Sequence, residues 1–196
     1  MTIGPDFVCV HVPRTASNAM SRLFLPLFGG AKVGKQHDRV VPPEHERKFT
    51  FTVVRNPYDR MLSCWHHAQR NSTNKAVAAM DFPEFMRLLP VGADVIRARD
   101  IPVVGNPSEN WDESGSGQAL FLSAARIDCV LRYENLIGEV ATLPFNSKRI
   151  KWPEERLNAE ARPRWQDEIA AKPEWAGVVE WHSNLDFARY GYGKWS

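Results

Sequence analysis

Phe49-Thr-Phe-Thr-Val-Val-Arg-Asn-Pro-Tyr-Asp-Arg-Met-Leu-Ser63 decides how this chain is read. Phe49 to Val54 is a short run of aromatic and β-branched residues, the composition of a buried strand. Arg55 follows at once, and Asn56-Pro57 stops the strand: proline has no N–H and turns the residue before it away from helical geometry. From Asp59 a helical pattern sets in, with Met61, Leu62 and Trp65 on one side. Arg55 is thus expected at the carboxyl end of a strand, and Ser63 about two turns into the following helix. Ligands of open α/β sheets bind outside the carboxyl ends of the strands. A cation there, with a hydroxyl on the next helix, suits a phosphate. Taken singly, each has a plainer reading: a surface ion pair for Arg55, a local backbone partner for Ser63.

Upstream, Phe7-Val-Cys-Val-His-Val12 is nearly continuous in apolar residues, as in a parallel strand buried on both faces. Pro13 ends it, Arg14-Thr-Ala-Ser-Asn18 is a polar loop, and Ala19 to Phe28 carries Met20, Leu23, Phe24 and Leu27 at helical spacing. This second strand–loop–helix unit places amide N–H groups and hydroxyls where an anion can be held. Simple capping of the helix by Ser17 or Asn18 is the alternative. Gly29-Gly-Ala-Lys-Val-Gly-Lys-Gln36 nearly fits GxxxxGK[ST], the phosphate loop of kinases and ATPases. Gln36 replaces the metal-binding hydroxyl, no buried strand leads into it, and Pro42-Pro43 forbids a long helix after it. It reads instead as an irregular loop carrying His37.

Farther along, Asp81-Phe-Pro-Glu84 opens a helix with the residues of a capping box. The stretch from Pro90 to Gly117 reads as a long surface excursion, of the kind that often carries binding elements. Ile127 to Arg132 reads as another strand, leading to a short helix near Leu136 to Leu143. Asn146-Ser-Lys-Arg149 is a basic loop, and Glu154 to Ala171 and Trp175 to Ala188 are helical in pattern. The expected architecture is α/β: one domain over residues 1–196, with a central, mainly parallel sheet flanked by helices in a three-layer, P-loop-like arrangement.

The whole-chain totals exclude several classes. The 196 residues are 43% hydrophobic and 24% charged, with a net charge of +2. That is ordinary for a globular protein and does not point to nucleic acid. Cys9, Cys64 and Cys129 are too far apart for a zinc pattern, and Cys9 and Cys129 fall in apolar strand-like runs, where a buried free thiol is expected. No leader and no apolar run of about 18 residues is visible, so a cytoplasmic protein without a membrane span is expected. The sequence leaves the oligomeric state open.

Taken in order, these pieces resemble the sulfotransferases that use 3′-phosphoadenosine 5′-phosphosulfate (PAPS), of the carbohydrate-acting kind with small bacterial members. The family's second motif, typically Val-Arg-Asn-Pro-Tyr-Asp-Arg-Leu-Val-Ser, is matched closely by Val54 to Ser63. Its first loop, typically Pro-Lys-Thr-Ala/Gly-Gly/Ser-Thr-Ser, corresponds to Pro13-Arg-Thr-Ala-Ser-Asn-Ala19. Leu131-Arg-Tyr-Glu-Asn-Leu136, Asn146 to Arg149 and Asp186-Phe-Ala-Arg-Tyr-Gly-Tyr192 are similar to its later pieces. The resemblance implies that Arg14, Thr15, Ala16, Ser17, Asn18 and Ala19 hold the 5′-phosphosulfate. It implies that Arg55 and Ser63 hold the 3′-phosphate, with Lys148 and Arg149 as helpers. Arg14 would steady the leaving phosphate and His37 would serve as general base, with His45 as second choice and a plain surface histidine as the alternative. A hydroxyl acceptor, 3′,5′-ADP as product and no metal are implied as well.

The loop departs from the family in Arg14 for lysine, and in Asn18 and Ala19 for two hydroxyls. A non-catalytic nucleotide-binding module with an eroded first loop is therefore one rival reading. A small P-loop kinase is the other.

Overall fold

The computed structural model describes residues 1–72, 74–89, 117–152 and 163–196. These fall into two compact units, one built from residues 1–55 and 122–152, the other from 56–72, 74–89, 117–121 and 163–196. The Pro90 to Gly117 excursion, apart from Gly117, and the first part of the Glu154 to Ala171 helix lie outside the described residues.

The first unit is a five-stranded mixed sheet. Its strands are β1 (Thr2–Ile3), β2 (Phe7–Val10), β3 (Ala31–Lys32), β4 (Phe49–Val54) and β5 (Cys129–Arg132), in the order β3-β1-β2-β4-β5. β2, β4 and β5 are mutually parallel, whereas β1 runs antiparallel to both of its neighbours. The apolar runs around Phe7, Phe51 and Leu131 thus form a parallel core, as their composition predicts. The two-residue strands β1 and β3 were not foreseen, because two residues carry no periodicity to read. Phe7, Cys9, Phe51, Val53 and Leu131 bury one sheet face against Met20, Phe24 and Leu25 and against Leu136, Val140 and Leu143. Phe145 stacks on Phe7 at 4.1 Å between ring centroids, and Trp152 stacks on Phe24 at 5.5 Å.

The helix after β2 begins at Ser17 and is irregular. One α-turn (α1, Ser17–Ala19) passes into a π-turn over Met20–Phe24 and a 3₁₀ turn over Leu25–Phe28. Pro26 in the last turn has no N–H to offer a regular α-helical bond. Gly29, at φ 74°, ends it in the left-handed conformation that glycine adopts most easily. The chain then enters β3 rather than a helix. Gly29 to Gln36 therefore has neither the strand before it nor the helix after it that a nucleotide-triphosphate loop requires, and the kinase reading loses its motif.

The second unit is helical, and α2 (Pro57–Asn71) opens it. The Asn56 side chain accepts from the N–H groups of Tyr58 and Asp59, and Pro57 occupies the first turn, where its missing N–H costs nothing. α3 (Lys75–Ala79) and α4 (Phe82–Leu88) follow, the latter with the capping box of Asp81 and Glu84 in place. α5 (Gln118–Phe121) starts on Asp186, whose carboxylate accepts from the backbone N–H groups of Gln118 and Ala119. The remaining helices of this unit are Trp165–Ala171, Glu174–His182 and Asn184–Tyr190. The single helix expected over Trp175 to Ala188 is therefore two, broken at Ser183. Trp181 and Leu185, which recur with Val178 and Val179 as the apolar residues of this stretch, are 67% and 53% exposed. The core consists of Tyr58, Met61, Leu62, Phe82, Phe85, Met86, Ile169, Val179 and Phe187, with Trp65, Trp165 and Trp175 packed on it. Among the described residues no helix is long and apolar enough to cross a membrane.

Candidate active site

Strand register brings the first unit's candidate residues together. β4 and β5 pair Val54 with Arg132. The next residues, Arg55 and Tyr133, therefore leave two parallel strands side by side, and adjacent strands lie about 4.8 Å apart. The Arg55 guanidinium lies over the Tyr133 ring, 4.2 Å from its centroid. On the other side, β2 and β4 pair Val10 with Thr52. Continuing that register sets Val12 beside Val54 and the polar loop beside Arg55. The Arg55 Nη1 donates to the Arg14 carbonyl at 3.0 Å. Arg55 is only 8% exposed, so the surface ion-pair reading does not describe it.

The loop itself has an unusual backbone. Among the described residues three non-glycine positions have positive φ: Arg14 at 67°, Ala16 at 66° and Arg149 at 50°. Two of them sit in the first loop and the third in the basic loop. A left-handed conformation costs a residue with a Cβ roughly 1–2 kcal/mol, and such strain gathers at binding and catalytic sites. Alternation of left-handed and ordinary conformations turns neighbouring N–H groups to one side, forming a concave anion-binding nest. Thr15 and Ser17 hold the loop in shape, their hydroxyls donating to the Val12 carbonyl at 2.8 and 2.7 Å. Both are buried. Their protons are directed at the backbone, so the groups this loop offers an anion are chiefly its N–H groups and the Arg14 side chain.

The next loop is fastened to the first one. Gln36 Nε2 donates to Asn18 Oδ1 at 2.9 Å, and His37 Nδ1 donates to the His11 carbonyl at 2.8 Å. A carbonyl can only accept, so the proton of neutral His37 is on Nδ1 and its lone pair on Nε2. Nε2 is thus the basic nitrogen of the ring. His11 is a core residue, 3% exposed, with Nε2 2.7 Å from the Thr2 hydroxyl and Nδ1 3.6 Å from Cys9 Sγ. Burial lowers its pKa to about 3, and nearby positive charges add to the effect. It is therefore a neutral packing residue.

In the basic loop, buried Asn146 closes the turn. Its backbone carbonyl accepts from the Arg149 N–H, its Nδ2 donates to the carbonyls of Val140 and Ile150, and its Oδ1 accepts from the Ile150 N–H. Lys148 and Arg149 are both exposed. Ser63 belongs to the second unit, where it is buried on α2 at 4% exposure. Among the described residues no cluster of His, Cys, Asp and Glu is arranged to hold a metal.

Sequence reasoning missed two of these residues. Tyr133 lay inside a quoted motif without a role, although the parallel pairing of two strands ending in Arg55 and Tyr133 is the signal that finds it. Gln36 counted only as a defect in a nucleotide loop, whereas it is the tie to Asn18.

A family model described as "Sulfotransferase family" matches residues 5–111, more than half of the chain. The match covers the Arg14 loop, His37 and the whole Arg55 to Ser63 motif, and ends before Tyr133, Lys148 and Arg149. Neither the curated proteins nor the solved structures gave a significant match. By the extent of that family match, the chain belongs to the sulfotransferase family, whose members are PAPS-dependent enzymes.

Proposed function

We propose that this enzyme transfers the sulfuryl group of PAPS to a hydroxyl of a carbohydrate. The observation that carries the assignment of the donor loop is the left-handed backbone at Arg14 and Ala16, directly after β2. Strain of that kind is retained where it shapes a site, and a nest of N–H groups suits a phosphosulfate.

In this reading Arg14 and the N–H groups around Ala16, Ser17, Asn18 and Ala19 hold the 5′-phosphosulfate, with Thr15 keeping the loop closed. Arg55 and Ser63 are assigned to the 3′-phosphate from their place in the motif, and Lys148 and Arg149 assist at the nucleotide. The acceptor oxygen attacks sulfur in line while the bond from sulfur to the 5′-phosphate oxygen breaks. His37 Nε2 takes the acceptor's proton, and 3′,5′-ADP leaves with the electron pair of the broken bond. Charge builds on that leaving phosphate, and the Arg14 guanidinium with the N–H dipoles of the loop stabilises it. Arg14 in place of lysine keeps the charge and adds a planar, two-pronged donor.

The test is a transfer assay with sulfur-labelled PAPS and a panel of sugars, polysaccharides and phenols, read by mass spectrometry. Labelled sulfate ester on a sugar hydroxyl is the expected result. Transfer to phenols alone would overturn the carbohydrate assignment. A requirement for ATP in place of PAPS would overturn the donor assignment.

A further inference from the structure

We propose that Tyr133 is a positioning residue of the donor site, acting through Arg55 on the backbone of Arg14. The inference rests on the reading of the first loop as the phosphosulfate site, and adds a residue that lies beyond the matched part of the chain.

Three observations carry it. The Tyr133 ring lies under the Arg55 guanidinium, at 4.2 Å. The same guanidinium donates to the carbonyl of Arg14 at 3.0 Å. Arg14 is one of the residues held at positive φ, at 67°. A residue with a Cβ leaves that conformation unless its surroundings fix it. A hydrogen bond to its carbonyl fixes the peptide that follows, and hence the direction of the next N–H in the nest.

The bond depends in turn on where the guanidinium sits. Arginine is long and flexible, and stacking on an aromatic face restricts the planar group to one orientation. The register supplies that face: Tyr133 follows Arg132, the partner of Val54, and Arg55 follows Val54. Ring, guanidinium and strained carbonyl form one brace across the ends of β5, β4 and β2, all within the first unit. Tyr133 is 36% exposed, so most of the core does not depend on it, and its ring is placed to orient a cation.

The experiment is calorimetric titration of the full chain with 3′,5′-ADP, on wild type, Tyr133→Phe, Tyr133→Leu, Arg55→Ala and the double variant Arg55→Ala/Tyr133→Leu. Phenylalanine keeps the aromatic face, so Tyr133→Phe is expected within about twofold of wild type. Loss of the face in Tyr133→Leu is expected to weaken binding roughly three- to tenfold. In the Arg55→Ala background the same change is expected to have no further effect, because the ring acts through Arg55. Amide hydrogen exchange over residues 14–19 is expected to be faster in Tyr133→Leu than in Tyr133→Phe. Should Tyr133→Leu fail to fold, Tyr133→Gln serves as the second ring-free variant.

Wild-type affinity in the ring-free variants, or an equal loss with Arg55 already removed, would overturn the brace while leaving the donor site standing. Failure of the wild type itself to bind 3′,5′-ADP would overturn the donor reading and the brace with it.

Discussion

His37 Nδ1 donates to the main-chain carbonyl of His11, at 2.8 Å. The acceptor is backbone at the end of a buried strand, so the bond fixes both the ring's orientation and its tautomer. Removing the ring should abolish proton acceptance and spare donor binding. His37→Ala is expected to lower kcat by roughly two orders of magnitude or more. The affinity for 3′,5′-ADP should stay within about twofold. Steady-state kinetics beside calorimetry separates the two effects. An equal fall in affinity would make His37 a binding residue.

The neighbouring His11 predicts an acid sensitivity. Its folded pKa, lowered to about 3 by burial, lies below the ordinary value of about 6.5. Between those values the unfolded chain binds a proton that the folded chain does not, so stability is present above about pH 6.5 and is lost as pH falls toward 3. The slope is on the order of 1.4 kcal/mol per pH unit for one such group. Urea titrations from pH 7 to pH 4 on wild type and His11→Gln should show a shallower fall in the variant. Identical slopes would mean that other groups govern acid unfolding.

Ala16, at φ 66° and ψ 20°, tests the strain in the first loop. Glycine adopts this conformation freely, whereas a β-branched residue resists it. Ala16→Gly is expected to leave the midpoint of thermal unfolding unchanged or slightly raised. Ala16→Val is expected to cost about 2 kcal/mol and to weaken 3′,5′-ADP binding as well. Equal behaviour of the two variants would show that the conformation is not strained.

In the second unit, the Tyr58 hydroxyl donates to Glu180 Oε1 at 2.5 Å and accepts from the Trp195 N–H at 2.7 Å. Burial and the Glu180 carboxylate push its pKa up. Tyr58→Phe keeps the ring stacked on Trp165 but strands both partners. The expected loss is about 1–3 kcal/mol, measured by chemical denaturation. The near-ultraviolet circular dichroism of Trp195 should change with it. An unchanged midpoint would mean that water replaces the hydroxyl.

The legible parts of this chain were those where local chemistry and long-range packing agree. Phe49 to Val54 read as a strand because its residues suit a buried pleat, and Asn56-Pro57 read as its stop because proline cannot continue it. That the same pair caps and opens α2, two residues before the expected start at Asp59, went unread. The Arg14 loop was legible by its place between a strand and a helix, and by its likeness to a known motif. Its left-handed residues were not, because Arg14 and Ala16 are poor candidates for positive φ and only the surrounding fold holds them there. β1 and β3 were too short to show a period. The break at Ser183 was missed because Trp181 and Leu185 continue an apolar spacing that the structure leaves exposed. The stack of Tyr133 on Arg55 depends on strand order, which no local pattern encodes.

The donor site is tested most directly by calorimetric titration with 3′,5′-ADP on wild type and Arg55→Ala, with ATP as control. Charge-assisted contacts contribute roughly 1.5–3 kcal/mol, so the variant should bind on the order of tenfold more weakly or worse. Binding of 3′,5′-ADP in preference to ATP, weakened on the order of tenfold or more in Arg55→Ala, is the predicted result. Equal affinity of wild type and Arg55→Ala, or a preference for ATP, would contradict the account.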